Sequence, residues 1–275
     1  MKTWTGDALR KAMEAEHIAQ YPKRYCCPLL ANYLAAKPDD RVCMLVGLLW
    51  TGKRTMMKQA ACNLGDYEHT LWVRCEATDD IDTLADTVDC FQDIRYLFVE
   101  EVTALKYFLD TSPFISCQYA KRQQQKVVLT GRKSLELFTA QYTDDWREDA
   151  EEPVVIHVRP LGCSEQRRFR HIQNPFCKIQ CGGILWPETY AAWTVADYIE
   201  EAIVKNICQA QEDLFDSSDY HGGDPLMDDF LSGRLAGMIR KVLLHPEMAA
   251  DENEKFVLAI LRWMDALDLR FDDVE

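Results

Sequence analysis

The sequence predicts an α/β fold: a parallel sheet sandwiched by helices, followed by a helical C-terminal region. Three observations predict it. Short continuous apolar runs recur between Val42 and Val158, with helical segments between them. The connections, at roughly twenty residues or more, suit right-handed β-α-β crossovers. A glycine-spaced segment lies between the first such run and the helix after it, where backbone amides gather around anions.

The elements follow in order. Residues 7–19 read as a helix, because Leu9, Ala12, Met13 and Ile18 roughly share a face. Pro22 and Pro28 punctuate, and a second helix runs over Leu29–Ala36. Pro38-Asp39-Asp40 is a turn signal. Strands are then expected at Val42–Val46, Thr70–Arg74, Tyr96–Val99, Lys126–Leu129 and Val154–Val158. Their continuous apolar character fits strands buried on both faces. Helices are expected at Lys53–Asn63, Asp80–Phe91, about Leu105–Ala120 and Ser134–Tyr142. After Pro160 the strand signals fade. Ser164–His171, Val195–Leu214, Leu226–His245 and Glu252–Leu267 read as helices, with a polar loop at Asp216–Asp224. No internal repeat or low-complexity tract is visible.

Composition narrows the function classes. The chain has 275 residues, 48% of them hydrophobic, enough for one sizeable core. Its net charge of -14 opposes binding to nucleic acid or anionic membrane unless charge is segregated. No run reaches the roughly 18 apolar residues of a membrane helix. The first residues, MKTWTGDALRKAMEAEH, lack the apolar core of a secretory signal. A cytoplasmic protein is the expectation. The eleven cysteines are scattered, and Cys43, Cys62, Cys75 and Cys90 sit in apolar runs. They read as small buried hydrophobes of a reducing compartment. Cys163, His171, Cys177 and Cys181 lack the knuckle spacing usual for zinc. No GxSxG elbow is present.

The chemistry concentrates at Gly47-Leu-Leu-Trp-Thr51-Gly52-Lys53-Arg54-Thr55, a GxxxxGK (Walker A) pattern between strand and helix. Its glycines let successive amides turn inward toward a phosphate, and Lys53 adds a point charge. The residue after the lysine is normally Ser or Thr, whose hydroxyl ligates Mg²⁺. Here it is Arg54, and Thr55 is turned away by a helical step of about 100°. Further on, the apolar strand Tyr96–Val99 runs into Glu100-Glu101. An apolar strand ending in two acids is a Walker B pattern. The first acid, usually Asp, holds Mg²⁺, and the second polarises the attacking water. These roles would fall to Glu100 and Glu101. The next strand ends Thr130-Gly131-Arg132. Either Thr130 senses a γ-phosphate and Arg132 pairs with one, or Thr130-Gly131 is a strand-to-helix turn capped by Ser134. Arg159, Arg167, Arg168 and Arg170 read more readily as a solvated basic face than as a phosphate sensor. Tyr190, Trp186 and Trp193 read more readily as helix packing than as an adenine platform.

These residues resemble bacterial AAA-type P-loop ATPases. Their phosphate loop reads roughly GLRRTGKTT, their acidic strand FIDEVT and their sensor strand VLSGTDSL. Here the counterparts are Gly47–Thr55, Phe98–Thr103 and Val128–Leu135. A later YGG motif and helix match Cys181-Gly182-Gly183 and Tyr198–Ile207. The resemblance spans about residues 25–215. It implies an AAA-like α/β domain, and the pattern along the chain divides into an N-terminal helical segment (1–37), a P-loop nucleotide-binding core (38–160) and a helical region (161–275). It further implies ATP as ligand, Mg²⁺ as its companion, and a protein partner or second copy of the chain. Gly47, Thr51, Gly52, Lys53, Arg54 and Thr55 would face the nucleotide, Glu100 the metal, and Glu101 and Thr130 the reaction. Arg54 and Glu100 both depart from the pattern at the metal. The expectation is a nucleotide-binding protein with slow or absent hydrolysis, Arg54 replacing part of the metal's charge. A degenerate P-loop scaffold that binds proteins without nucleotide is the alternative.

Overall fold

The computed structural model describes residues 1–37, 41–47, 51–105, 125–131 and 153–158, together with Lys241 and Lys255. The chain forms two compact units, residues 1–46 with 52–158 and residues 47–51 with 159–275. The second is described only at Gly47, Thr51, Lys241 and Lys255, the two lysines being helical. The helices expected across 105–120, 134–142 and beyond residue 160 otherwise lie outside the described residues.

The first unit is built on a six-stranded sheet. Its strands are β1 (Lys2–Trp4), β2 (Cys43–Val46), β3 (Thr70–Arg74), β4 (Tyr96–Glu100), β5 (Lys126–Gly131) and β6 (Val154–His157). Their spatial order is β1-β3-β4-β5-β2-β6. All neighbours pair in parallel except β1, which runs antiparallel to β3 with Trp4 opposite Trp72. The helices are α1 (Gly6–Ala15), α2 (Cys27–Ala35), α3 (Lys53–Leu64) and α4 (Ile81–Asp89).

Alternation along the strands divides the core. Cys43, Leu45, Trp72, Phe98, Val128 and Ile156 lie in one cluster with apolar residues of α1, α2 and α3. Trp72 and Phe98 stack there with ring centroids 5.6 Å apart. Residues of the opposite parity (Met44, Leu71, Leu97 and Val127 among them) are 0% exposed as well. Burial on both faces is why β2 to β5 read as unbroken apolar runs rather than alternating ones. Small residues Ala60 and Ala61 let α3 lie close on the sheet, while Met56 and Met57 fill the space between.

The N-terminal segment packs onto α3. Gln59 Nε2 donates to the Tyr21 carbonyl at 2.9 Å, and Lys58 pairs with Glu16. Burial pushes the Lys58 amine below the ordinary lysine range, with Glu16 opposing that shift. The Tyr33 hydroxyl on α2 lies 2.8 Å from the Arg41 carbonyl and 3.0 Å from that of Val127. It therefore ties α2 to both the entry of β2 and the start of β5.

Three expectations are corrected. β1 went unforeseen because Lys2–Trp4 has no apolar run; it forms by pairing with the open edge of β3, a tertiary effect. The first helix stops at Ala15, since His17 turns left-handed (φ 51), and a 3₁₀ turn carries Ile18 into the core. Cys90, expected in the core, is exposed just after α4, whereas Cys43 and Cys75 are buried and Cys62 is half-buried. Burial pushes the Cys43 thiol up to about 12 and raises that of Cys75 as well, so both are inert hydrophobes rather than nucleophiles.

Gly65 ends α3 in a left-handed turn at φ 67, with open space where a Cβ would stand. Its replacement is therefore a pure backbone test. Gly65→Ala is expected to cost about 1–2 kcal/mol in urea unfolding, and Gly65→Asn clearly less. Equal losses would show that the side chain, not the backbone, sets the cost.

Candidate functional site

The carboxyl ends of the parallel strands are where an α/β sheet presents its binding loops. Within the first unit, β2 is followed by the start of α3, with Gly52 as N-cap at φ 91. A side chain at that φ would be strained, which explains the glycine. The first helical hydrogen bond runs from the Met56 amide to the Gly52 carbonyl at 2.9 Å. The amides of Lys53, Arg54 and Thr55 precede it and so lie at the helix's positive end. Lys53 is buried, Arg54 exposed and Thr55 half-buried. Of the two loop residues in the second unit, Gly47 has φ 154 and Thr51 is buried.

The strand order puts β5 between β2 and β4, pairing Leu45 with Thr130 and Val99 with Leu129. Thr130 thereby reaches the acidic strand end. Its Oγ1 accepts a hydrogen bond from the Glu101 amide at 3.0 Å. Glu101 itself adopts a left-handed backbone, φ 58 and ψ 47, and caps a 3₁₀ turn at Val102–Ala104. A glutamate in that region is strained by about 1 kcal/mol or more. The Thr130 bond and the Ala104 amide, which donates to the Glu101 carbonyl at 2.9 Å, hold it there. The residue is half-buried, not sequestered in the core.

Glu100 lies on the α3 side of the sheet and is only 2% exposed. Its Oε1 receives Arg54 Nε at 2.9 Å and has Arg74 Nε at 3.8 Å. Its Oε2 accepts the Trp72 indole N–H at 3.2 Å. Burial pushes this carboxyl above the ordinary range, while Arg54, the indole and Arg74 pull it back. Trp72 and Arg74 escaped the sequence reading. The available signal was alternation on β3, which puts both on the face that Glu100 shares.

A Mg²⁺ ion was the expected companion of Glu100, and these residues do not fit it. Magnesium needs open oxygens in near-octahedral array. Both Glu100 oxygens are engaged by nitrogen donors, and the neighbouring hydroxyl is replaced by a guanidinium that has no lone pair to give. Among the described residues no cluster of His, Cys, Asp and Glu could hold a metal. Leu48–Trp50, Arg132, the arginines from 159 to 170, the 186–193 aromatics and Cys163, His171, Cys177 and Cys181 lie outside the described residues.

A mostly parallel sheet with a glycine-capped helix after β2, an acidic residue ending β4 and a polar strand end between them is the α/β architecture that the sequence predicts. No family model and no curated protein matches the sequence. Among solved structures the chain is similar to Hsp104 in a closed state with ATPγS and casein (13% identity, TM-score 0.41), covering 96% of this chain. It spans about half of that protein, 53%. It is also similar to the replication initiator DnaA bound to AMPPCP and single-stranded DNA (9%, 0.37; 90% of this chain and 83% of that one). A third is the Thermotoga maritima RuvB Holliday junction branch migration motor (12%, 0.33; 98% and 72%). No helix among the described residues is long and apolar enough to cross a membrane.

Removing the Thr130 hydroxyl leaves the Glu101 amide without its acceptor. Thr130→Val is expected to lower unfolding stability by about 1–2 kcal/mol, with Thr130→Ser close to wild type. Calorimetric unfolding checks this; a Val variant as stable as wild type would mean that the bond holds nothing in place.

Proposed function

We propose that this chain binds ATP at the amino end of α3 and hydrolyses it slowly or not at all, serving as a nucleotide-dependent switch. The observation that carries the reading is that the Arg54–Glu100 contact brings the amino end of α3, where Lys53 stands, to the end of β4 beside Glu101, which Thr130 holds. A helix N-terminus with a lysine in its first turn is suited to a triphosphate. Gly47, Thr51, Gly52 and Thr55 would shape the loop around the phosphates. Glu101, held by Thr130, is the candidate to orient a water, and Thr130 the candidate to sense the γ-phosphate. Slow turnover is inferred from the acid before it: Glu100 is tied to Arg54, and phosphoryl transfer relies on cations that neutralise developing charge. A switch of this kind would act on a protein partner or a second copy of the chain, and in the cytoplasm.

The alternative is a P-loop scaffold that binds partners without nucleotide. The closure of Glu100 by three donors favours it, since that closure also serves as ordinary internal structure.

Calorimetric titration of ATP and ADP separates the two. Micromolar binding that weakens tenfold or more in Lys53→Ala is expected, because a lysine–phosphate contact is charge-assisted. Steady-state turnover is expected below the roughly 1 s⁻¹ at the low end of typical enzymes. Absence of binding would leave the scaffold reading standing, and brisk Mg²⁺-dependent turnover would remove the slow-hydrolysis part.

A further inference from the structure

We propose that the Arg54–Glu100 ion pair takes the place of the divalent cation, so that the site accepts a nucleoside triphosphate free of metal. The proposal rests on the nucleotide-binding reading above and specifies the form of the ligand.

Two substitutions at a metal position could be independent losses. The geometry here makes them one device. Arg54 stands where a hydroxyl ligand would, and its Nε points at the acid that would otherwise hold the ion, 2.9 Å from Oε1. The longer glutamate has the reach to meet it, and the Trp72 indole fixes the far oxygen at 3.2 Å. Glu100 thus acts as an anchor that aims a guanidinium rather than as a metal ligand. Using Nε for the anchor leaves both terminal nitrogens of Arg54 without a protein acceptor among the described residues, on a side chain 44% exposed. A guanidinium carries its donors as a planar fork, and this one belongs to the first turn of α3, a shape that suits two phosphate oxygens.

Charge supports the same assignment. A triphosphate brings about four negative charges, and a divalent cation normally cancels two of them. Here Arg54 and Arg74 share the single charge of Glu100. The fixed cations therefore exceed the anion they surround. A guanidinium also stays protonated at every physiological pH, so the site carries its positive charge whatever the metal concentration. A metal chelated to the phosphates would compete with Arg54 for the same oxygens.

The test is calorimetric titration of ATP into the full chain with excess EDTA and, separately, with excess Mg²⁺. The expected dissociation constant in EDTA is no more than threefold above that in Mg²⁺, or lower than it. The Arg54→Thr/Glu100→Asp double variant restores the hydroxyl and the shorter acid. It is expected to bind at least tenfold tighter with Mg²⁺ than with EDTA. If wild-type binding tightens by more than threefold with Mg²⁺, the metal-substitution idea is overturned while ATP binding stands. If wild type binds ATP in neither buffer, both readings fall. The wild-type comparison decides even where the double variant does not fold.

Discussion

A carboxylate at 2% exposure requires a cation or a set of donors, and the site is organised around how Glu100 obtains them. The contact joins three elements. Arg54 is supplied by the first turn of α3, Trp72 and Arg74 by the end of β3, and Glu100 itself closes β4. This single acid therefore fixes the helix that opens with Gly52 and Lys53 against the sheet. Removing Arg54 would leave the buried Glu100 poorly compensated, whereas Arg54 would keep its access to water, so the pair specifies geometry even where its net contribution to stability is modest.

The supporting structure serves that placement. Strand order puts Thr130 between the loop strand and the acidic strand, close enough to hold the Glu101 amide. The N-terminal segment wraps α3 through Gln59 and Lys58, and Tyr33 pins α2 to β2 and β5. Helix α3 is thus buried along most of its length, including at three polar residues, Lys53, Lys58 and Gln59.

Much of this was legible in the sequence because it depends on short-range patterns. Thr70–Arg74 is a strand at the boundaries its apolar run suggested, and Asp80 caps α4 through the Thr83 amide. The glycine before Lys53 announced the left-handed cap of α3. What was not legible depends on partners distant in the chain. β1 exists only because β3 offers an edge, and Glu100 is satisfied only because alternation on β3 turns Trp72 and Arg74 to its side. The substitution of Arg54 for a hydroxyl residue was visible, but its aim was not: sequence suggested a charge directed at phosphate, and the structure directs Nε at Glu100.

The central claim, that an Arg–Glu pair stands where a metal would, is tested most directly by an experimental structure of the full chain with ATP, obtained in EDTA and again in Mg²⁺. The account predicts the β- and γ-phosphates against the first amides of α3 and Lys53 in both, with Arg54 still bonded to Glu100 and its terminal nitrogens on phosphate oxygens. A magnesium ion coordinated by Glu100, with Arg54 swung away, would contradict it.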